Sequence, residues 1–313
     1  MSGPATTRLD AALRRLEAAL RGDGPPLVLD GALATWLEAK GVDVSGPLWS
    51  ARVLLEQPRA LVDVAEDYAR AGADVLTTAT YQANIPGLRA AGLDDAAIRA
   101  LFVTAAALVR EGAARAGRAD VCVAASHGPY GAQRADGSEY PGRYGVSRAT
   151  LEDDHAARLD LARAGDVDVI AFETIPSILE VEAIVRVLER AGHPPAWLSL
   201  SVAPDGRHLA DGTPLAEVAA HVPDTLALGV NCCGPAVART ALDALAGRAR
   251  LAYPNRGERW DAVGRVWLDA APPPAFDAVA RALLDGGAWL IGGCCRTTPD
   301  DVRAIARLVH GAR

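Results

Sequence analysis

The chain has 313 residues, of which 50% are hydrophobic, and it carries a formal net charge of −7. An acidic chain without a basic cluster is a poor partner for nucleic acid, and no apolar run reaches the length of a membrane span. The N-terminus lacks the pattern of a signal peptide, and five clustered cysteines do not make a disulfide framework. We therefore expect a cytoplasmic protein.

Short apolar runs alternate with helical patterns along most of the chain. Residues 7–21 come first and predict an amphipathic helix, because leucines recur on one face. The predicted strands that follow are Leu27–Asp30, Asp74–Ala79, Val121–Ser126, Val169–Glu173, Trp197–Val202, Leu226–Asn231, Arg250–Tyr253 and Trp289–Gly292. Helical patterns lie between them, for example at 58–72, 94–116, 148–164, 177–191, 235–247 and 299–310.

Eight strands, each followed by a helix, predict an α/β protein of the (β/α)8 TIM barrel type with an extra N-terminal helix. We expect a single domain over residues 1–313, in which 1–26 are the N-terminal helix and its lead-in. The alternative is a doubly wound open sheet, which would want a GxGxxG turn after the first strand. Asp30-Gly31-Ala32-Leu33 is not such a turn.

Chemically useful side chains gather where the predicted strands end, which is where a barrel builds its active site. They are Asp30-Gly31 after the first strand, Thr80-Tyr81-Gln82 after the second, Gly128-Pro129-Tyr130 and Gly137-Ser138-Glu139-Tyr140 after the third, Glu173-Thr174 at the fourth, Asn231-Cys232 at the sixth, Tyr253-Pro254-Asn255 at the seventh and Cys294-Cys295 at the eighth.

Cys294 and Cys295 lie between a Gly-Gly pair and a predicted helix start. Adjacent cysteines reach disulfide geometry only with strain, so two neighbouring thiols suit a soft metal better. A third thiol comes from Cys232 or Cys233, which strand alternation points to opposite sides. Three thiolates leave a tetrahedral zinc one open position, which is typical of catalytic rather than structural sites.

Several of these signals have other interpretations. The paired cysteines could be two small buried hydrophobes, or Gly292-Gly293 could bind phosphate in a metal-free barrel lyase or isomerase. A zinc-binding protein without catalytic activity is a further alternative. Asp30 could cap a helix, whereas Glu173 after an apolar strand is costly without a partner. Cys122 is predicted to lie in the core, and His127 shows no metal-ligand spacing.

From about residue 27 to 310 the chain resembles the homocysteine S-methyltransferases, which are zinc-dependent (β/α)8 enzymes. The resemblance rests on these segments: Asp30-Gly31-Ala32-Leu33-Ala34-Thr35, Leu48-Trp49-Ser50-Ala51-Arg52, Thr77-Thr78-Ala79-Thr80-Tyr81-Gln82-Ala83, Gly128-Pro129-Tyr130-Gly131-Ala132, Gly137-Ser138-Glu139-Tyr140, Phe172-Glu173-Thr174-Ile175-Pro176, Gly229-Val230-Asn231-Cys232, Tyr253-Pro254-Asn255 and Gly292-Gly293-Cys294-Cys295. His127 and Arg256 stand where the family has small residues.

The resemblance implies one Zn²⁺ per chain on Cys232, Cys294 and Cys295, with Cys233 as a bystander. It also implies that Asp30 and Glu173 hold the amino group of homocysteine. The remaining residues that we expect to bind substrate are Thr174, Asn231, Tyr81, Tyr130 and Glu139. Aromatic faces for a cationic donor would come from Trp49, Tyr81, Tyr130 and Tyr140.

The implied reaction is methyl transfer from an onium donor to the homocysteine thiol, which gives methionine. The chain ends at Arg313, directly after the predicted eighth helix. In this it resembles the compact members of the family, which use S-methylmethionine, rather than the betaine-dependent members with a C-terminal extension. We therefore expect S-methylmethionine first, S-adenosylmethionine second and betaine as the alternative.

Overall fold

The computed structural model describes residues 4–44, 48, 50–133, 142–245, 247–261, 266–268 and 274–311. Its strands are β1 Leu27–Val28, β2 Val75–Thr77, β3 Cys122–His127, β4 Val169–Ile175, β5 Ala196–Leu200, β6 Ala227–Asn231, β7 Ala249–Tyr253, β8 Arg259–Asp261, β9 Val266–Leu268 and β10 Leu290–Ile291. Its helices are α1 Pro4–Arg21, α2 Ala34–Ala39, α3 Ser50–Glu56, α4 Pro58–Ala71, α5 Ile85–Ala90, α6 Asp95–Arg115, α7 Arg148–Ala164, α8 Ile178–Arg190, α9 Leu215–His221, α10 Pro235–Ala244, α11 Phe276–Asp285 and α12 Pro299–His310, with a 3₁₀ turn at Tyr130–Gln133.

Eight of the strands form one parallel sheet in the order β1-β10-β7-β6-β5-β4-β3-β2. A parallel bridge from Leu29 to Val75 joins the two outer strands and brings the sheet close to a full ring. Helices lie between successive strands, so the predicted (β/α)8 barrel is confirmed and the open doubly wound sheet is wrong.

The predicted and observed elements differ mainly at the strand ends. The first predicted strand runs to Asp30, whereas β1 ends at Val28 and Leu29 continues it only as a single parallel bridge to Val75. An antiparallel hairpin, β8–β9, follows β7 and pairs Trp260 with Trp267 in register. The hairpin was not predicted, because strands of three residues are too short for an alternation of apolar and polar residues to be recognised.

The helix predicted at 7–21 is α1, and it closes the amino-terminal end of the barrel. Its buried residues Leu16, Ala19 and Leu20 belong to the same apolar cluster as Leu27 and Cys122 inside the strand ring. We call this end the floor and the opposite end the mouth. Cys122 therefore lies in the core, as predicted. None of the described helices is both long and apolar enough to cross a membrane.

Candidate active site at the barrel mouth

Three thiols converge at the mouth. Cys232 follows β6, Cys294 and Cys295 follow β10, and their sulfur atoms all lie within 4.8 Å of one another. The Sγ atoms of Cys232 and Cys295 are 3.9 Å apart. Tetrahedral zinc with Zn–S bonds of about 2.3 Å places two sulfurs roughly 3.8 Å apart. The donor set and its spacing therefore fit one metal ion of this kind.

Local backbone geometry holds these thiols in place. Cys232 has φ +54°, in the left-handed region that a non-glycine residue adopts only at a cost. Its N–H donates to the Tyr253 carbonyl at 3.3 Å, and the Cys294 N–H donates to the Pro254 carbonyl at 2.8 Å. The strand ends β6, β7 and β10 are thereby tied together directly beneath the sulfurs.

The glycine pair before Cys294 is explained by close packing. A Cβ on Gly292 would lie 2.6 Å from Leu29 Cβ, and one on Gly293 would overlap the Thr297 side chain. The Thr297 hydroxyl donates to the Cys294 carbonyl at 2.7 Å, which fixes the turn that presents the thiols. These contacts account for both glycines without the phosphate that the alternative interpretation invokes.

The five thiols differ in their readiness to ionise. The pKa of Cys232 is well below its ordinary value, chiefly because the Cys294 thiol, and then the Cys295 thiol, donate hydrogen bonds to it. Burial raises the pKa of Cys122 to about 12 and that of Cys233 to about 12. Cys233 packs against the outer core and stands outside the three-thiol cluster.

Two carboxyl groups face the same mouth, and their hydrogen-bond partners among the described residues are uncharged. Asp30 Oδ2 accepts from the Thr77 N–H at 2.7 Å and from the Thr77 hydroxyl at 2.9 Å. Glu173 Oε1 accepts from the Ser126 hydroxyl at 2.5 Å. Burial raises the pKa of Asp30 to about 7 and that of Glu173 to about 8. Leu33, not Asp30, is the N-cap residue of α2, so the capping interpretation of Asp30 is wrong.

Asn231 and Thr174 bind each other. Asn231 Oδ1 accepts from the Thr174 N–H at 2.9 Å, and Asn231 Nδ2 donates to Thr174 Oγ1 at 2.8 Å. Thr174 has φ +62°, and the pairing of β4 with β5 shifts register between Phe172 and Ile175. The Asn231 amide thus holds the irregular end of β4, directly after Glu173. The Nδ2 atom of Asn231 also lies 4.0 Å from Cys294 Sγ.

These groups line one cavity of about 260 Å³. The predicted site residues on its wall are Asp30, Tyr81, Glu173, Thr174, Asn231, Cys232, Cys294 and Cys295. Tyr130 is not on that wall, because its ring packs against Tyr144 at 5.4 Å between centroids. Glu139, Trp49 and Tyr140 lie outside the described residues. Sequence reasoning missed Thr77 and Ser126, which bind the two carboxyl groups. Both lie at the end of a strand, where the other site residues were predicted.

Sequence reasoning also missed a buried polar network behind the mouth. The Arg158 guanidinium donates to the Gly128 carbonyl at 2.8 Å and to the Tyr81 carbonyl at 3.1 Å, joining the loops after β3 and β2. His127 lies 2.9 Å from His155, whose other ring nitrogen lies 2.9 Å from Glu180. Burial, with Arg158 nearby, lowers the pKa of His127 well below its ordinary value. His127 is thus neutral and paired with His155, and within the described residues it stands outside the three-thiol cluster.

Taken together, the fold and the site define a (β/α)8 barrel enzyme with a cluster of three thiols, which could hold a metal ion, beside two buried carboxyl groups. The sequence model of the family described as homocysteine S-methyltransferase matches residues 27–309. The chain belongs to the homocysteine S-methyltransferase family.

Individual relatives agree with this membership. The chain is 40% identical over 296 residues to homocysteine S-methyltransferase YbgG of Bacillus subtilis, covering 90% of this chain and 94% of that protein. It is 41% identical over 291 residues to the homocysteine S-methyltransferase of Escherichia coli, covering 89% and 94%. The metallated crystal structure of the homocysteine methyltransferase MmuM from Escherichia coli superposes with a TM-score of 0.81 at 38% identity, covering 93% of this chain and 99% of that one.

Proposed function

We propose that this protein transfers a methyl group from an onium donor to the thiol of L-homocysteine, giving methionine, with one Zn²⁺ on Cys232, Cys294 and Cys295. The favoured donor is S-methylmethionine, and S-adenosylmethionine is the second. The observation that carries the proposal is that three clustered sulfurs share one cavity with Asp30 and Glu173. A thiol group and an ammonium group on one small molecule match these two sets of partners.

Asp30 and Glu173 would bind the ammonium group of homocysteine. Each carboxyl group is buried, and within the described ranges neither forms an ion pair. Burial therefore raises the pKa of both groups, because no cation stabilises the ionised form. An ammonium ion supplies charge-assisted hydrogen bonds to both carboxylates and favours their ionised form. Asn231 keeps Thr174 and the end of β4 in place, and with them the neighbouring Glu173. An acceptor bound by its ammonium group at Glu173 would then direct its thiol at the sulfur cluster.

The three cysteines would hold the metal and leave one position for the acceptor. When bound, Zn²⁺ deprotonates a coordinating thiol, and a thiolate is the nucleophilic form of sulfur. Three cysteine thiolates outweigh the charge of one divalent ion, so the filled site stays anionic and attracts a cationic donor. In the transfer, the acceptor sulfur forms a bond to the methyl carbon. The bond from that carbon to the donor's onium atom breaks, and its electron pair stays with the leaving group.

The leaving group decides between the donors. A sulfonium releases a neutral thioether, which leaves more easily than the tertiary amine that betaine would release. Tyr81 lines the cavity and offers an aromatic side chain to a cationic methyl group. These points favour S-methylmethionine over betaine.

The test is methionine formation from homocysteine with S-methylmethionine, S-adenosylmethionine and betaine at equal concentration, using enzyme of measured zinc content. We expect about one zinc per chain, as a single three-thiolate site implies, and the highest rate with S-methylmethionine. Betaine turnover above that of S-methylmethionine would refute the donor assignment. Full zinc content without methyl transfer from any donor would indicate a non-catalytic zinc protein, and activity without metal would exclude the zinc centre.

The compartment and partners follow from the same residues. All five cysteines are free thiols in the structure, which suits a reducing compartment. We infer a cytoplasmic enzyme whose partners are small molecules, homocysteine and the methyl donor. Fractionation of cells under conditions that preserve thiols would test the compartment.

A further inference from the structure

Gln82 places a hydrogen-bond acceptor without a donor in the wall of the active-site cavity. The residue is 6% exposed, it lines the cavity, and its Oε1 atom is buried without a hydrogen-bond partner among the described residues. Buried amide oxygens are nearly always paired, because an unmade hydrogen bond in a water-poor site is costly. An exception on the wall of a binding cavity is explained most simply by a ligand that supplies the missing N–H.

The segment around Gln82 is fixed before any ligand arrives. The Tyr81 carbonyl accepts from Arg158 and from the Gly128 N–H at 3.3 Å. The Gln82 carbonyl accepts from Asn84 Nδ2 at 3.0 Å, and the same Asn84 side chain caps α5 through the Gly87 N–H at 2.6 Å. The backbone at Gln82 is therefore held by hydrogen bonds at its own carbonyl and at the carbonyl before it, and the residue lies on the cavity wall.

Of the two proposed substrates, the methyl donor is the one whose ammonium group has no assigned partner yet. The acceptor's ammonium has Asp30 and Glu173, whose buried carboxyl groups interact electrostatically with each other and with Cys294. A sulfonium amino acid brings a second α-ammonium into the same cavity, where a neutral acceptor can bind it without adding another negative charge. Glu38 also lines the cavity, but it is exposed and already interacts electrostatically with Arg296.

We propose that Gln82 is a specificity-determining residue that accepts a hydrogen bond from the α-ammonium group of a sulfonium amino-acid donor. This rests on the proposed function, because it assigns the donor side of that reaction. It predicts that the enzyme distinguishes S-methylmethionine from 4-(dimethylsulfonio)butanoate, which has the same sulfonium and carboxylate groups but no ammonium.

The test compares both compounds on zinc-loaded wild type and Gln82→Met, which keeps the length of the side chain and removes the carbonyl. Binding is measured by calorimetry and turnover by methionine formation. We expect Gln82→Met to bind S-methylmethionine about tenfold more weakly, the effect of losing one hydrogen bond to a charged group. Binding of the butanoate, the KM for homocysteine and the zinc content should stay within about twofold, because none of them depends on that bond.

Gln133→Met is the matched control. Gln133 also has an amide atom, Nε2, without a partner among the described residues, but Gln133 does not line the cavity. Its substitution should therefore leave the binding of both donors unchanged. Equal weakening of both donors by Gln82→Met, or a raised KM for homocysteine with unchanged donor binding, would overturn the proposal.

The two proposals fail in different ways. If homocysteine is methylated but the ratio of the two donors is the same in wild type and Gln82→Met, the assignment of Gln82 is wrong and the function stands. If no methyl group is transferred but S-methylmethionine binds in a Gln82-dependent manner, the function is wrong and the ammonium site stands.

Discussion

The two ends of the barrel treat buried acids in opposite ways. At the floor, Asp74 accepts from the Val28 N–H at 2.9 Å and lies near two guanidinium groups, those of Arg15 at 3.5 Å and Arg118 at 3.7 Å, and near the His310 ring at 2.9 Å. At the mouth, Asp30 and Glu173 are also buried, but within the part of the chain that the structure describes their partners are hydroxyl and backbone groups.

The difference indicates which acids stabilise the fold and which bind a ligand. A carboxylate surrounded by cations has its partners within the chain, and it stabilises the elements that it joins. A buried carboxyl group without a cation keeps a raised pKa and costs stability until a cationic ligand arrives. Substitutions at the floor should therefore change stability, whereas substitutions at the mouth should change function.

The largest expected effect comes from the thiol cluster. Cys232→Ala, Cys294→Ala and Cys295→Ala should each lose most of the zinc and at least about a thousandfold in activity, because two thiols cannot complete the site. Cys122→Ala, beside the floor, and Cys233→Ser should keep both. Metal analysis and initial rates provide the measurement, and a Cys294→Ala protein with full zinc content would refute the ligand assignment.

The floor acid gives the next effect. Asp74→Ala should lower the free energy of unfolding by about 3 kcal/mol, because it leaves Arg15, Arg118 and the His310 ring without their carboxylate. The KM for homocysteine should not change. Glu111→Ala, which removes a surface partner of Arg59 and Arg115, is the control and should cost less than about 0.5 kcal/mol. Denaturant titration separates the two, and equal losses would argue against the contrast drawn above.

The mouth acid should affect binding instead. Glu173→Gln should raise the KM for homocysteine about 10- to 100-fold, the effect of weakening one charge-assisted bond to its ammonium group. Zinc should stay bound. A simple thiol without an amino group should be a poor acceptor for wild type, and if it reacted as fast as homocysteine, the role of both carboxyl groups would be wrong.

A smaller effect should come from the amide that holds the end of β4. Asn231→Ala should raise the KM for homocysteine about tenfold, because two hydrogen bonds to Thr174 are lost. Thr174→Gly adopts the left-handed backbone without strain, so the double variant should recover part of that loss. A double variant no better than Asn231→Ala alone would mean that Asn231 does not act through the backbone of Thr174.

The smallest effect is a pH dependence of stability. The folded-state pKa of Glu173, about 8, lies above its ordinary value of 4.5, so the folded protein binds the extra proton between these pH values. Stability from this group is therefore lost as pH rises from about 5 to 8. Without ligand, Glu173→Gln should gain stability relative to wild type as the pH rises from about 5 to 8, and the two proteins should converge below about pH 4.5. Thermal unfolding across this range measures the difference, and a gap that narrows with rising pH would contradict the sign.

The barrel and the position of its site could be predicted from the sequence because both depend on short-range pattern. Apolar runs mark the strands, and Asp30, Glu173 and Cys294 directly follow such runs. The partners of these groups were not predictable, because which hydroxyl reaches which carboxyl group depends on the stagger of neighbouring strands. Arg158 lies on α7 with a polar pattern around it, and no local signal shows that its guanidinium reaches two loop carbonyls instead of water.

Residues 231–233 show the same limit on a smaller scale. Strand alternation predicts that Cys232 and Cys233 point to opposite sides, and they do. It does not show which of them faces the mouth, because Cys232 takes a left-handed conformation that no β-strand pattern contains. The family resemblance implies that Cys232 is the ligand thiol, and in the structure the Cys232 thiol joins those of Cys294 and Cys295.

The helix that closes the floor has a consequence for traffic through the cavity. With α1 packed across the amino-terminal end, molecules that reach the strand ends come and go through the mouth. Asp30 and Glu173 lie inside, whereas Glu38 lies at the exposed rim. The cavity therefore has one entrance, and the molecule that binds last leaves first. In the proposed reaction a ligand at Asp30 and Glu173 cannot leave before the ligand at the rim, and an inert analogue bound at the rim would trap it.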